Sequence, residues 1–108
     1  MVNVLFKRKD SNLVSVSMKG HAESVDEGYD MVCCAISAVS QTILIGLLEV
    51  LKLKVIYSLD DGFLNFSIEK FPDRDIEQCQ VLIKTMLLGL KSIEIRYGEY
   101  INIKVEEV

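Results

Sequence analysis

Val14-Ser15-Val16-Ser17-Met18-Lys19 is the stretch on which the fold turns, because Val14, Val16 and Met18 alternate with Ser15, Ser17 and Lys19. A period of two sends the first set to one side of an extended chain and the second to the other, which is a strand with one face buried and one wet. Upstream, Val2, Val4 and Phe6 repeat the pattern, and the turn formers Asp10, Ser11 and Asn12 separate the two runs. An opening β-hairpin is predicted.

Further along, Lys54 to Tyr57 and Phe63 to Ile68 predict a second hairpin around Ser58-Leu59-Asp60-Asp61-Gly62. Leu64, Phe66 and Ile68 face inward in it, and Asn65, Ser67 and Glu69 outward. Phe71-Pro72-Asp73 breaks the strand, and from Asp73 the apolar spacing changes. Ile76, Cys79, Ile83, Met86, Leu90, Ile93 and Tyr97 recur at steps of three and four, one face of a helix that Gly98 stops. Ile101, Ile103 and Val105 supply a closing strand.

Between the hairpins, Met31 to Leu48 carries no formal charge, close to the lower limit for crossing a bilayer. Ser37, Ser40, Gln41 and Thr42 put a polar band in its middle, and the flanking strands need an apolar partner, so a buried helix is the reading adopted. The order is ββαββαβ. It predicts an α+β fold, a mixed and mostly antiparallel five-stranded sheet packed with two long helices.

Half of the 108 residues are apolar, which suits a single domain spanning residues 1–108. With 16 acidic against 12 basic side chains, and no basic run longer than Lys7-Arg8-Lys9, direct binding of nucleic acid is not expected. Met1-Val2-Asn3-Val4-Leu5-Phe6-Lys7 lacks the features of a secretory signal, and three cysteines, two of them adjacent, suggest no disulfide framework. The expectation is a cytoplasmic protein without a membrane role.

Chemistry concentrates in Gly20-His21-Ala22-Glu23-Ser24-Val25-Asp26-Glu27-Gly28-Tyr29-Asp30-Met31-Val32-Cys33-Cys34, which holds the sole histidine. Asp30 is a natural N-cap, accepting from the N–H groups two and three residues on. Cys33 then falls in the first helical turn, where the helix dipole and a nearby imidazolium would draw its pKa below the roughly 8.5 of a free thiol. His21 ends a strand across a short loop, with Gly20 and Gly28 supplying the dihedral freedom to bring its ring to the sulfur. Cys plus His is the minimum for nucleophilic acyl transfer.

Each of these residues also has an ordinary reading: a satisfied histidine, a cysteine serving as a small hydrophobe, an aspartate that only caps, and Glu23, Asp26 and Glu27 as a solvated loop. Helix geometry separates the adjacent thiols by about 100°. Cys33 shares a face with Ser37 and Ser40, which favours it as the exposed thiol, whereas Cys79 reads as core. A zinc site would need His21, Cys33 and Cys34 to converge from adjacent helical positions, which the geometry opposes, so no metal or cofactor is expected. No Cys-x-x-Cys pair is present to support a redox role.

Taken together, Gly20-His21-Ala22, Gly28-Tyr29-Asp30-Met31-Val32-Cys33, Ala35 and Ser37 resemble the signature of the ribosomal-processing cysteine protease family, Prp. In that family's pattern the histidine precedes the catalytic cysteine by twelve residues, which is the separation of His21 and Cys33. Cys34 stands where the family usually has alanine. Met31 replaces a branched residue and Tyr29 occupies the variable site, changes that leave the implied chemistry untouched. The resemblance implies a homodimeric cysteine endopeptidase of the cytoplasm that removes the N-terminal extension of a large-subunit ribosomal protein next to an aromatic pair. Cys33 would be the nucleophile, His21 its proton-transfer partner, Asp30 and Ser37 supporting groups, and Gly20, Ala22 and Gly28 the substrate loop. Two other classes stay open at this point: a non-catalytic module that binds ribosomal protein, and a thiol redox sensor built on Cys33 and Cys34.

Overall fold

A computed structural model describes residues 1–20, 27–61 and 63–108. Five strands and two helices follow in the expected ββαββαβ order: β1 (Val2–Lys9), β2 (Asn12–Lys19), α1 (Glu27–Ile45), β3 (Ile56–Asp60), β4 (Phe63–Ser67), α2 (Asp73–Tyr97) and β5 (Ile101–Glu107). The strands form one mixed sheet in the order β3-β4-β2-β1-β5. All pairs are antiparallel except β1 with β5, which run parallel with Val4 opposite Ile103.

The period of two decides which face is buried. Val2, Val4 and Phe6 of β1, Val14, Val16 and Met18 of β2, and Leu64 and Phe66 of β4 all point into the core. Two tight turns set the hairpin registers. Asp10 and Ser11 both adopt positive φ, 51° and 72°, between the paired residues Lys9 and Asn12, and Asp61 does so at 49° after Asp60, which pairs with Phe63. Positive φ at this position is what two-residue hairpins require. The second turn is therefore tighter than the sequence predicts. Ser58, Leu59 and Asp60 belong to β3 rather than to a loop, and Lys54 and Val55 lie before it.

The helices cover the core face. In α2 the expected residues Ile76, Cys79, Ile83, Met86 and Leu90 are buried, while Tyr97 at its end is exposed. Gly98 caps the helix at φ −61°, so the stop needs no left-handed residue. Buried Gln80 fastens α2 to β2: its Oε1 accepts from the Leu13 N–H at 2.8 Å, and its Nε2 donates to the Leu13 and Ile76 carbonyls, both at 2.9 Å. The helices run antiparallel, Val39 beside Gly89 and Gly46 beside Leu82.

Two expectations for α1 are corrected. It begins at Glu27, so Asp30 is a residue of its first turn and not the N-cap, and Gly28 is helical rather than part of a loop. The cause is the spacing of Tyr29, Val32, Ile36 and Ser40, all buried, which carries the packed face back past Asp30. Nor is α1 buried all round. Residues 28–50 are long and apolar enough to cross a membrane by length and composition alone. One side packs on the sheet, while Met31, Cys34, Ala35, Ala38, Thr42 and Ile45 are exposed.

Candidate active site

Cys33 follows Tyr29 by four positions, which puts both on one side of α1. The Tyr29 hydroxyl donates to the Cys33 sulfur. Its ring is buried and tilted by 59° against that of Tyr100, with 6.3 Å between centroids, so the hydroxyl is held in place. Gly20, just after β2, makes room for this contact. A Cβ there would lie 3.2 Å from the hydroxyl and only 2.4 Å from the Phe63 ring of β4. Close approach, rather than the dihedral freedom expected from sequence, is what requires glycine at this position.

The thiol is half-buried, and burial pushes its pKa above the ordinary thiol value. The Tyr29 hydroxyl opposes this by stabilising the thiolate, while the charges of Asp30 and Cys34 push the pKa further up. The lowering expected from the helix dipole is absent for a geometric reason. Cys33 is the seventh residue of α1, beyond the first turn where the dipole is felt. Its backbone N–H is likewise committed to the carbonyl four residues back, so the start of the helix is not an oxyanion site at this sulfur. A second correction concerns the neighbour, since Cys34 is the exposed thiol of the pair. Burial pushes Cys79 up to about 11 and removes it from chemistry at neutral pH.

Two open hollows meet at the sulfur. One, of roughly 540 Å³, runs between Met18, Gly20, Tyr29, Phe63 and Asn65; the other follows the flank of α1 past Cys34, Ser37, Ala38 and Gln41. Asp30, Cys33 and Asp61 line both. The thiol thus stands where an extended chain can leave in two directions, the layout an endopeptidase needs. A further hollow at the far end of the sheet, around Arg8, Ser11, Leu13 and Lys84, is lined by no cysteine.

Of the residues singled out from sequence, Cys33, Asp30, Ser37 and Gly20 come together here, and Gly28 lines neither hollow. His21 and Ala22 lie outside the described residues, as do Glu23 and Asp26. Among the described residues no three His, Cys, Asp or Glu side chains are grouped to hold a metal ion. Sequence reading missed Tyr29, set aside as a neutral change, although its spacing from Cys33 was available. It also missed Phe63, Asp60 and Asn65, for which no local pattern exists. Asn65 joins the hairpin to the site wall, its Oδ1 accepting from the Met18 N–H at 3.1 Å.

An α+β domain with a reactive residue type set between two peptide-sized hollows has the architecture of a cysteine protease. The family model described as cysteine protease Prp matches residues 1–102, and the chain belongs to that family. The ribosomal processing cysteine protease Prp of Staphylococcus aureus is 32% identical over 97 residues, covering 87% of this chain and 88% of its own. Its Bacillus subtilis counterpart is 25% identical over 107 residues, covering 95% and 96%. Among solved structures, SMU.848 from Streptococcus mutans superposes with a TM-score of 0.88 at 27% identity, over 100% of this chain and 96% of that one. The S. aureus protease in complex with a substrate peptide gives 0.84 at 26%, over 98% and 100%.

Proposed function

We propose that this protease removes the N-terminal extension of a large-subunit ribosomal protein, with Cys33 as nucleophile and His21 as its proton-transfer partner. The observation that carries the reading is the position of Cys33 at the junction of the two hollows, under the Tyr29 hydroxyl. The S. aureus relative, named for ribosomal processing and solved with a substrate peptide, supports the substrate class. Met18, Tyr29 and Phe63 give the larger hollow apolar walls, which suit an aromatic side chain beside the cleaved bond.

A thiol whose pKa lies above the ordinary value is protonated at neutral pH, so the cycle starts with proton transfer. His21 takes the Cys33 proton, and the sulfur adds to the scissile carbonyl carbon. The Tyr29 hydroxyl, freed from the sulfur as its charge is spent, donates to the oxyanion. Collapse breaks the C–N bond, and the imidazolium gives its proton to the departing amine. Water, deprotonated by His21, then opens the thioester, and the proton returns to the sulfur as the acid product leaves. Asp30, one turn before Cys33 on the same side of α1, orients the imidazole, and Ser37 supports the second hollow.

The active form in this reading is a cytoplasmic homodimer. Val81, Leu88 and Ile95 are exposed and recur every seven residues along α2, with Val81 and Ile95 symmetric about Leu88. Between them, Thr85 and Ser92 donate to the Val81 and Leu88 carbonyls of their own helix, so covering this strip leaves no hydroxyl unpaired.

Mass spectrometry of an N-terminal extension peptide incubated with wild type, Cys33→Ala and Cys34→Ala tests the proposal. One specific cut, lost only in Cys33→Ala, is the expected result. An intact peptide in every tube, with folded protein that binds it, would give way to the non-catalytic binding module.

A further inference from the structure

The two edges of the sheet are unlike. β5 closes one side with Lys104, Glu106 and Glu107 along it, charges of the kind that keep an open edge from pairing with another chain. β3 closes the other side, and every residue in it is exposed. Its side chains are Ile56, Tyr57, Ser58 and Leu59, with a charge only at Asp60. Ile56 is 78% exposed, Tyr57 46% and Leu59 48%. Neither lysine nor proline guards it.

Pairing of Asp60 with Phe63 across a two-residue turn sets which backbone groups are spent. In such a hairpin the residues flanking the turn exchange hydrogen bonds, and the exchange repeats at every second residue. Asp60, Ser58 and Ile56 therefore face β4, and the N–H and C=O groups of Tyr57 and Leu59 face outward along the open edge. The strand runs straight into the site, because Asp60, Asp61 and Phe63 line the hollow that holds Cys33.

We propose that the open edge of β3 is the docking rail for the substrate backbone: the chain on one side of the scissile bond pairs with Tyr57 and Leu59 as an added strand. This rests on the endopeptidase reading above and extends it from the thiol to the rest of the peptide. Main-chain bonds supply the affinity in this mode of recognition, and side chains at alternate positions supply the selectivity. Five strand residues at about 3.3 Å each give a rail of about 16 Å, enough for four or five substrate residues. Tyr57 and Leu59 pair with buried Phe66 and Leu64, so their side chains offer apolar contacts on the helix-bearing face of the sheet.

The test is a scan of the same extension peptide, N-methylated at one position at a time, read as kcat/KM. Losses of about tenfold at every second residue, on one side of the cleaved bond and as far as four residues from it, are expected for single backbone hydrogen bonds. Losses without alternation, or confined to the residues joined by the cleaved bond, overturn the rail. Leu59→Pro provides an independent arm, since proline at an outward-facing edge position removes one donor while leaving the hairpin bonds intact. That variant should lose about tenfold in kcat/KM, one backbone hydrogen bond, with Cys33 alkylated by iodoacetamide at the wild-type rate. Unchanged cleavage accompanied by conversion of a dimer to a monomer would assign the edge to a second copy and overturn the proposal. Failure of wild type to cut the unmodified peptide would strike the protease reading of the site instead, so the two failures are distinct.

Discussion

The Tyr29 hydroxyl donates to the Cys33 sulfur from one turn earlier on α1, and this bond opposes the burial that keeps the thiol protonated. Tyr29→Phe removes the donor and retains the ring against Tyr100. The Cys33 pKa should rise further, and kcat/KM should fall about tenfold or more, the scale of a hydrogen bond to a charged group. Thiolate absorbance against pH gives the first quantity and peptide cleavage the second. An unmoved titration would take Tyr29 out of the chemistry.

The three cysteines should label in a fixed order. Exposed Cys34 reacts with iodoacetamide first and half-buried Cys33 more slowly, while Cys79, buried and pushed up to about 11, reacts only on unfolding. Because the Cys33 pKa lies above the ordinary value, its thiolate fraction grows as pH rises through the alkaline range, and its labelling rate should climb with it. Timed quenching and peptide mapping between pH 6 and pH 10 read both effects. Fast labelling of Cys33 already at pH 6 would mean that the His21 imidazolium outweighs burial.

Gly20→Ala drives a methyl group to 2.4 Å from the Phe63 ring, closer than any real contact. The ring must swing, and the hollow beside Cys33 changes shape with it. A loss of about 1–3 kcal/mol in stability is expected, the range for forced overpacking. Cleavage should fall as well. Thermal melting checks the first effect, and the double variant Gly20→Ala/Phe63→Leu should recover part of both by giving the methyl space.

Leu88→Lys places a charge at the centre of the Val81, Leu88, Ile95 strip without touching the core, since Leu88 is 64% exposed. In sedimentation velocity it should convert a wild-type dimer to a monomer while the melting temperature of the domain changes little. A wild type that is already monomeric would remove the strip as an interface between copies.

Most of the fold is legible where a period is long and unbroken. α2 announces itself from Ile76 to Leu90, and β2 through Val14, Val16 and Met18, because burial on one face imposes the spacing. The start of α1 is misread because Asp30 carries a strong local capping signal. What overrides it is Tyr29, whose burial against Tyr100 becomes visible only with the tertiary structure. β3 is misread for a related reason: Ser58 and Asp60 have loop composition, yet the positive φ of Asp61 turns the chain tightly enough for the strand to run on to Asp60. Gln80 shows the limit more sharply, since its partner Leu13 is 67 residues away and no local pattern connects them. At the site, Cys33, Asp30 and Ser37 come together because a helix repeats every three to four residues. Phe63, Asp60 and Asn65 arrive from a distant hairpin whose place beside the thiol depends on sheet order.

The parallel pairing of β1 with β5 has a consequence for how the molecule forms. Arg8 meets Glu107 across 99 residues of chain, and Val2 donates to the Tyr100 carbonyl. β1 is an interior strand only because the last strand lies against it. Contacts of such long sequence separation are slow to make, since the entropy of closing the loop is lost before the pairing returns anything. The first hairpin and α2 can form early from local contacts, but the sheet that supports the thiol is sealed in the final step. Docking of β5 is accordingly expected to be the slow step, and it brings with it Tyr100, whose ring backs Tyr29 beside the thiol.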